Sequence, residues 1–321
     1  MNLVTPLKFE PILKSVIWGG NKICEYKKIP DQEPNIGESW EISAVPGSES
    51  VVSEGEWKGK KISELIDIFG ESFLGNRVME KFGKSFPLLI KFIDANDNLS
   101  IQVHPDDKLA EQRHNCRGKT EMWYIIDAND NASIYSGFRS SLNPNDYTTS
   151  VKDGTFTDYI ARFDSKPEQV YFLPAGRVHA IGAGNFLAEI QESSDITYRI
   201  YDYNRVDSKG NKRELHTEIA KDAIDYSVSD SGPVKYNKEA DDAILVSCPH
   251  FITRRLHIKG EKTIEKSNDS FLILMGIKGN VDIVYPSGTM ELCEGSTVFI
   301  PASLVGRLTL KGRAILLAIS L

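Results

Sequence analysis

Cysteine is sparse in this chain. Its four residues, Cys24, Cys116, Cys248 and Cys293, are scattered, and none forms a Cys-x-x-Cys pair. That argues against a disulfide scaffold or a thiolate-pair metal site, and it predicts reduced thiols in a cytoplasmic protein. Long apolar runs are missing too, so no segment is expected to cross a membrane as a helix. The stretch Met1–Glu10 has no basic region followed by an apolar core, so no signal peptide is expected. Positive charge is in deficit: 38 Lys and Arg minus 45 Asp and Glu leaves −7. Neither nucleic acid nor an anionic membrane is therefore expected as a partner. A small anionic substrate stays compatible, because local charge can oppose net charge.

What is present is a 321-residue chain with 40% hydrophobic and 26% charged residues. This suffices for a large core and more than one domain. Short β-type runs dominate. Glu38-Ser-Trp-Glu-Ile-Ser43 alternates in polarity, whereas Pro87-Leu-Leu-Ile-Lys-Phe-Ile93 is nearly continuous and apolar, as a buried strand is. Trp123–Ile126, Gln169–Leu173 and Phe271–Met275 follow, punctuated by turn clusters such as Asp127-Ala-Asn-Asp-Asn131. The pattern predicts a mainly β sandwich or jelly roll with a few helices. One helix is expected at Ile62–Phe69, with Ile62, Leu65, Ile66 and Phe69 on one face. Others are expected after Asp106 or Asp107, from Asn143, and over Glu214–Asp225, with Leu215, Ile219 and Ala223 spaced i, i+4.

An internal repeat organises the chain. Phe172-Leu-Pro-Ala-Gly-Arg-Val-His179 aligns with Phe299-Ile-Pro-Ala-Ser-Leu-Val-Gly306, and Trp123–Ile126 aligns with Leu272–Met275. Two related β-barrels are predicted, the second degenerate because Gly306 stands where the first copy has His179. The division is placed in the polar stretch 227–242. It separates residues 1–235, a metal-binding catalytic domain with helical excursions, from residues 236–321, a domain lacking the metal site.

Three motifs in or beside strands carry the chemistry: Leu99-Ser-Ile-Gln-Val-His-Pro-Asp106, Gly118-Lys-Thr-Glu-Met-Trp123 and Leu173-Pro-Ala-Gly-Arg-Val-His179. Gln102, His104, Glu121 and His179 offer an amide oxygen, a carboxylate and two imidazoles, a donor set suited to zinc or another divalent transition metal. Alternation puts Ser100, Gln102 and His104 on one side, facing a barrel interior, and Ile101 and Val103 on the other, packing into the sandwich core. Lys119 and Glu121 share a face. Singly, each residue has a plainer reading: His104 as a strand end before Pro-Asp, Glu121 on a solvated edge. His114, in Glu111-Gln-Arg-His-Asn115, reads as a surface helix end, and His216, His250 and His257 have no ligand-like neighbours in the sequence. In Glu189–Arg205, Glu189 and Gln191 share a parity, as do Thr197, Arg199 and Tyr201. Arg199 reads equally as an anion clamp or as part of a cross-strand salt bridge.

At these residues the chain resembles the type I phosphomannose isomerases (mannose-6-phosphate isomerases) in their short bacterial form. The resemblance covers most of the chain. It includes Ile17-Trp-Gly-Gly20, Gly37–Ser43, the three motifs above, and Glu189-Ile-Gln-Glu-Ser-Ser-Asp195 with Arg199. It implies a cupin fold of two jelly-roll barrels and one zinc ion per chain, held by Gln102, His104, Glu121 and His179. It also implies an aldose–ketose isomerisation between mannose 6-phosphate and fructose 6-phosphate. Arg199, Lys119 and Glu189 match the family's active-site residues, and Ser100 its pocket serine. Two departures stand out. Longer members carry a helical insertion between the glutamate and the second histidine, for which this chain has little room. Many members also place a tyrosine where this chain has Ile181.

Such a reaction moves a proton between C1 and C2 through an enediol. It needs an electrophile for the oxygen charge and a base, for which Glu189 or a lysine of lowered pKa is suited. The alternatives are an iron-dependent cupin oxygenase using His104, Glu121 and His179 as a facial triad, or a non-catalytic sugar-phosphate-binding cupin. The partner expected in either isomerase or binder is a small sugar phosphate, taken by a monomer or weak homo-oligomer.

Overall fold

The computed structural model of the chain describes residues 4–30, 34–206 and 209–321, so Met1–Leu3 of the N-terminal stretch lie outside it. The apolar run at Pro87–Ile93 forms the strand Leu88–Ala95, buried along its whole length. Leu88, Ile90 and Phe92 face one core, while Ile93 and Ala95 face another, as alternation requires of a strand between two layers. This strand is third in an antiparallel six-stranded sheet. The order is Ile12–Gly20, Ile36–Ile42, Leu88–Ala95, Asn185–Glu192, Glu121–Ala128, Val170–Leu173. A second, five-stranded sheet runs Tyr198–Tyr201, Ile101–Val103, His179–Ile181, Ser133–Phe138, Ile160–Asp164. Ile93, Trp123, Tyr171 and Leu187 of the first sheet meet Ile134 and Ile181 of the second in one cluster.

The fold is mainly β, of the jelly-roll kind that the patterning predicts, but its sheets stay open. Among the described residues no strand pairing joins the first sheet to the second. Large inward side chains such as Trp123 and Tyr171 fill the gap. Packed sheets sit about 10 Å apart, too far for backbone pairing between them. Ile101 and Val103 do not enter this interior. They pack on the far side of the second sheet with Phe138, Tyr147 and Phe156, beneath the helix Pro144–Asp153.

A third sheet contains the long strands Ile252–Lys266, Gly306–Ser320 and Leu272–Tyr285, with Asp242–Ser247 and Gly288–Leu292 at its edges. Thr297–Ile300 pairs with Leu272–Tyr285. The aligned segments form paired strands in both halves but in different register: Trp123 lies opposite Tyr171, whereas their aligned counterparts Leu272 and Val298 lie opposite Ile300 and Leu274. After each Pro-Ala turn a strand begins, at His179 or at Gly306. The interior of the second copy is filled by aliphatic residues, among them Leu256, Ile283, Leu308 and Leu316.

The helix Ile62–Phe69 buries Ile62, Leu65, Ile66 and Phe69, as its spacing predicts. Asp106 caps Asp107–His114 by accepting from Leu109 N, and Asn143 caps Pro144–Asp153. The expected helix over Glu214–Asp225 shrinks to Thr217–Ala220. Its i, i+4 stripe points outward, with Leu215 and Ile219 exposed; Ala220 and Ile224 are the residues that bury. The interval between Glu121 and His179 holds that one capped helix and a short 3-10 turn, Phe156–Tyr159.

The first and third sheets share a core. Phe299 stacks on Phe73 at 4.4 Å between centroids and touches Phe271 at 5.3 Å and Phe86 at 6.2 Å. Its backbone exchanges hydrogen bonds with Leu7. Lys27 and Glu41 pair at 2.8 Å through nearly covered side chains, and Lys27 also donates to the Gly295 carbonyl. Truncating Phe299 opens a cavity that several rigid rings cannot refill. Phe299→Ala is therefore expected to cost about 3–5 kcal/mol of stability, read as a lowered urea midpoint with an unchanged slope.

Candidate active site

Register assembles the site. His179 lies directly opposite Gln102, and Arg199 lies opposite Gln102 on its other side. In the first sheet Glu189 stands between Lys91 and Trp123, and Lys91 stands opposite Trp40. These rows face each other across the gap. They line a cavity of about 190 Å³ with Trp18, Ile93, Leu99 and Ile181 among its apolar walls.

At one end of the cavity His104, Glu121 and His179 converge. All three are buried, and one ligand atom from each lies within 4.8 Å of the others. His104 Nδ1 is 2.9 Å from the Ile196 carbonyl and His179 Nδ1 is 2.8 Å from the Arg177 carbonyl. Each ring therefore donates from Nδ1, which leaves its Nε2 a bare lone pair. Those Nε2 atoms stand 3.5 and 3.3 Å from the Glu121 carboxylate. Burial holds both imidazoles well below the usual histidine range, that of His179 at about 3. Glu121 Oε1 and Oε2 make no aligned hydrogen bond among the described residues. Lys119 Nζ approaches Oε2 to 2.7 Å, a distance that marks an ion pair although the angle is too oblique for a hydrogen bond. Lys119 Nζ also donates to His104 Nε2 at 3.1 Å. Gln102 turns its amide nitrogen to His179 at 3.4 Å, while its oxygen accepts from Ser100 at 3.3 Å.

A second charge pair is formed by Lys91 and Glu189, both buried and 3.1 Å apart. Burial works against the Lys91 ammonium, but Glu38 and Glu189 hold it above the ordinary lysine range. Burial likewise works against ionised Glu189. Lys91, Lys119 and a 2.8 Å hydrogen bond from Trp123 Nε1 override it and keep the carboxyl low. Burial lifts Glu121, by contrast, so two neighbouring carboxyls are driven in opposite directions. At the mouth, Arg199 Nη1 donates to the Glu214 carbonyl, while its Nε has no partner among the described residues. Arg213 grips Asp202 with two hydrogen bonds and lines the same cavity.

The structure thus brings Ser100, Gln102, His104, Lys119, Glu121, His179, Glu189 and Arg199 to one place. Tyr201 does not share the side of Thr197 and Arg199. Pairing shifts register after Arg199, and Tyr201 packs with the outer cluster. Lys91, Glu38 and Arg213 were not singled out from the sequence. Lys91 left one signal, a lone lysine inside an apolar strand, since a buried lysine demands a partner. His250 is not isolated either: its Nδ1 lies 2.8 Å from Glu192.

Comparison with known proteins places the chain in a family. The family model for the catalytic domain of type I phosphomannose isomerase matches residues 7–134. The chain is 33% identical over 318 residues to a mannose-6-phosphate isomerase of Bacillus subtilis, covering 96% of each. It is 31% identical over 301 residues to a mannose-6-phosphate isomerase of Streptococcus mutans, covering 93% of each. The crystal structure of a Bacillus subtilis mannose 6-phosphate isomerase superposes with a TM-score of 0.88 at 33% identity, over 98% of this chain and 99% of that one. With such identity along nearly its whole length, this chain belongs to the type I phosphomannose isomerase family.

Proposed function

We propose that this chain is a zinc-dependent aldose–ketose isomerase that interconverts mannose 6-phosphate and fructose 6-phosphate through an enediol. Family membership supports the substrate. The convergence of two imidazole lone pairs on a buried carboxylate without aligned hydrogen bonds carries the metal reading. His104 Nε2 and Glu121 share a single ammonium, that of Lys119, and neutral imidazoles with one carboxylate fit zinc. His104, Glu121 and His179 would hold the ion, and Gln102 would join them through its amide oxygen once the amide is turned over from the orientation in which its nitrogen faces His179. When bound, the ion supplies positive charge that polarises substrate oxygens.

The remaining steps belong to side chains. Arg199, whose Nε is uncommitted, binds the phosphate at the mouth, and Ser100 lines the path inward. Lys119 offsets the charge that develops on the enediolate. Glu189 lines the cavity in its ionised form and can accept the proton that moves between C1 and C2, although the lysines that keep it ionised also weaken it as a base. Lys91 holds Glu189 in place from the opposite strand and is added here to the working residues. Residues 1–235 are read as the catalytic domain and 236–321 as its C-terminal companion, in a cytoplasmic protein. No helix among the described residues is long and apolar enough to cross a membrane.

The following outcomes test the reading. Chelation should abolish mannose 6-phosphate isomerisation, and one equivalent of zinc should restore it. His104→Ala or His179→Ala should lose metal together with about 1000-fold in kcat/KM, since several kcal/mol of charge stabilisation go with the ion; full activity in a metal-free variant would sink the proposal. Arg199→Ala should raise KM about tenfold or more, as expected for a charged hydrogen bond worth about 1.5–3 kcal/mol. Lys91→Met should destabilise the fold by about 3–5 kcal/mol by stranding Glu189. Adding Glu189→Gln to Lys91→Met should recover stability without recovering turnover, measured by thermal unfolding beside a coupled assay.

A further inference from the structure

Glu192, the last residue of the strand Asn185–Glu192, is buried and has no part in the chemistry above. Its Oε1 accepts from Thr120 N at 2.8 Å, and its own N–H donates to the Thr120 carbonyl at 3.1 Å. Thr120 is thereby clamped on both sides of its backbone, and it sits between Lys119 and Glu121. The clamp extends further. Thr120 Oγ1 accepts from Ala175 N, and Gly176 N donates to the His104 carbonyl, so the turn preceding His179 is tied to the same point.

The other oxygen of Glu192 faces the C-terminal half. Oε2 is buried, makes no aligned hydrogen bond among the described residues, and has His250 Nδ1 2.8 Å away. His250 lies in the turn between the third-sheet strands Asp242–Ser247 and Ile252–Lys266. That turn is closed by Cys248 N donating to the Phe251 carbonyl and is held from outside by Lys81, which donates to the Pro249 carbonyl. Asp107 adjoins the pair. Its Oδ1 is already committed to Gly118 N and its side chain is exposed, so the cluster braces the chain rather than holding an ion.

We propose that His250 is a positioning residue for the active site. Acting through Glu192, it sets the backbone at Thr120 and hence the placement of Lys119 and Glu121. The C-terminal half, in which no group of candidate metal ligands lies by itself among the described residues, thus contributes to turnover. This inference builds on the site assigned above. Without His250 the buried Oε2 loses its polar neighbour, Glu192 turns toward solvent, and the clamp on Thr120 loosens. Misplacement of a catalytic group by a fraction of an ångström is enough to slow turnover.

The test uses the full chain at saturating zinc. His250→Ala is expected to lower kcat about tenfold with KM within about twofold, and to speed zinc release to a chromophoric chelator about tenfold. His250→Asn, whose amide nitrogen takes the place of Nδ1, should keep both within about threefold of wild type. Tyr26→Phe serves as control. It removes a different contact between the halves, the hydroxyl donating to the Gly276 and Ile277 carbonyls, and should leave kcat unchanged. The inference is overturned if His250→Ala turns over like wild type, if Asn fails to rescue it, or if Tyr26→Phe slows turnover equally. The two readouts separate the claims. A wild-type chain that binds zinc but does not isomerise refutes the assigned reaction, and the release rates still decide the role of His250.

Discussion

The Nδ1–H groups of His104 and His179 are committed to the carbonyls of Ile196 and Arg177, and this one constraint orients the site. Both accepting carbonyls come from segments that the sheets already fix. Arg177 lies in the turn that feeds its own histidine strand, and Ile196 lies just before Tyr198–Tyr201. The imidazoles cannot rotate without leaving a buried N–H unpaired, which costs about 1–3 kcal/mol. Their lone pairs therefore point at Glu121 before any ligand arrives. Preorganisation of this kind comes from the backbone, and it survives changes in the side chains around it.

Charge inside the sandwich is balanced pair by pair. Lys91 answers Glu189, and Lys119 answers Glu121. The pairs are not equivalent. Glu189 has a lysine, an indole N–H and a second ammonium to keep it ionised, whereas Glu121 is lifted by burial. Two carboxyls of similar depth thus acquire opposite tendencies from their neighbours alone, a recurring basis for dividing acid, base and ligand duties. Four cations, Lys91, Lys119, Arg199 and Arg213, line the cavity, although the whole chain carries −7. Net charge is no guide to the sign of a pocket.

Much of this was legible in the sequence, for physical reasons. Alternation placed Gln102 with His104 and Lys119 with Glu121, because a strand leaves a side chain only two sides to choose from. The helix at Ile62–Phe69 declared itself by four apolar residues on one face, and capping residues marked two others. What stayed hidden was long-range. Lys91 looked like an interruption in a buried strand until Glu189 appeared on the next one. The stripe of Leu215, Ile219 and Ala223 suggested a buried face, yet tertiary packing chose Ala220 and Ile224. Tyr201 escaped its parity through a register shift that no local pattern announces. His250 seemed ordinary because its partner lies 58 residues earlier, on another sheet (250 minus 192).

The position of one strand sets the order in which this molecule can be made. Gly306–Ser320 lies in the middle of the third sheet, between Ile252–Lys266 and Leu272–Tyr285. Leu7, near the other end of the described chain, waits for Phe299 to complete its pairing. A nascent chain emerging from the ribosome can therefore collapse its first two sheets early. The face that joins them to the third stays open until residue 320 is free. Until then the aromatic surface around Phe73 and Phe86 is uncovered, so the growing chain passes through an interval in which this apolar face has no partner.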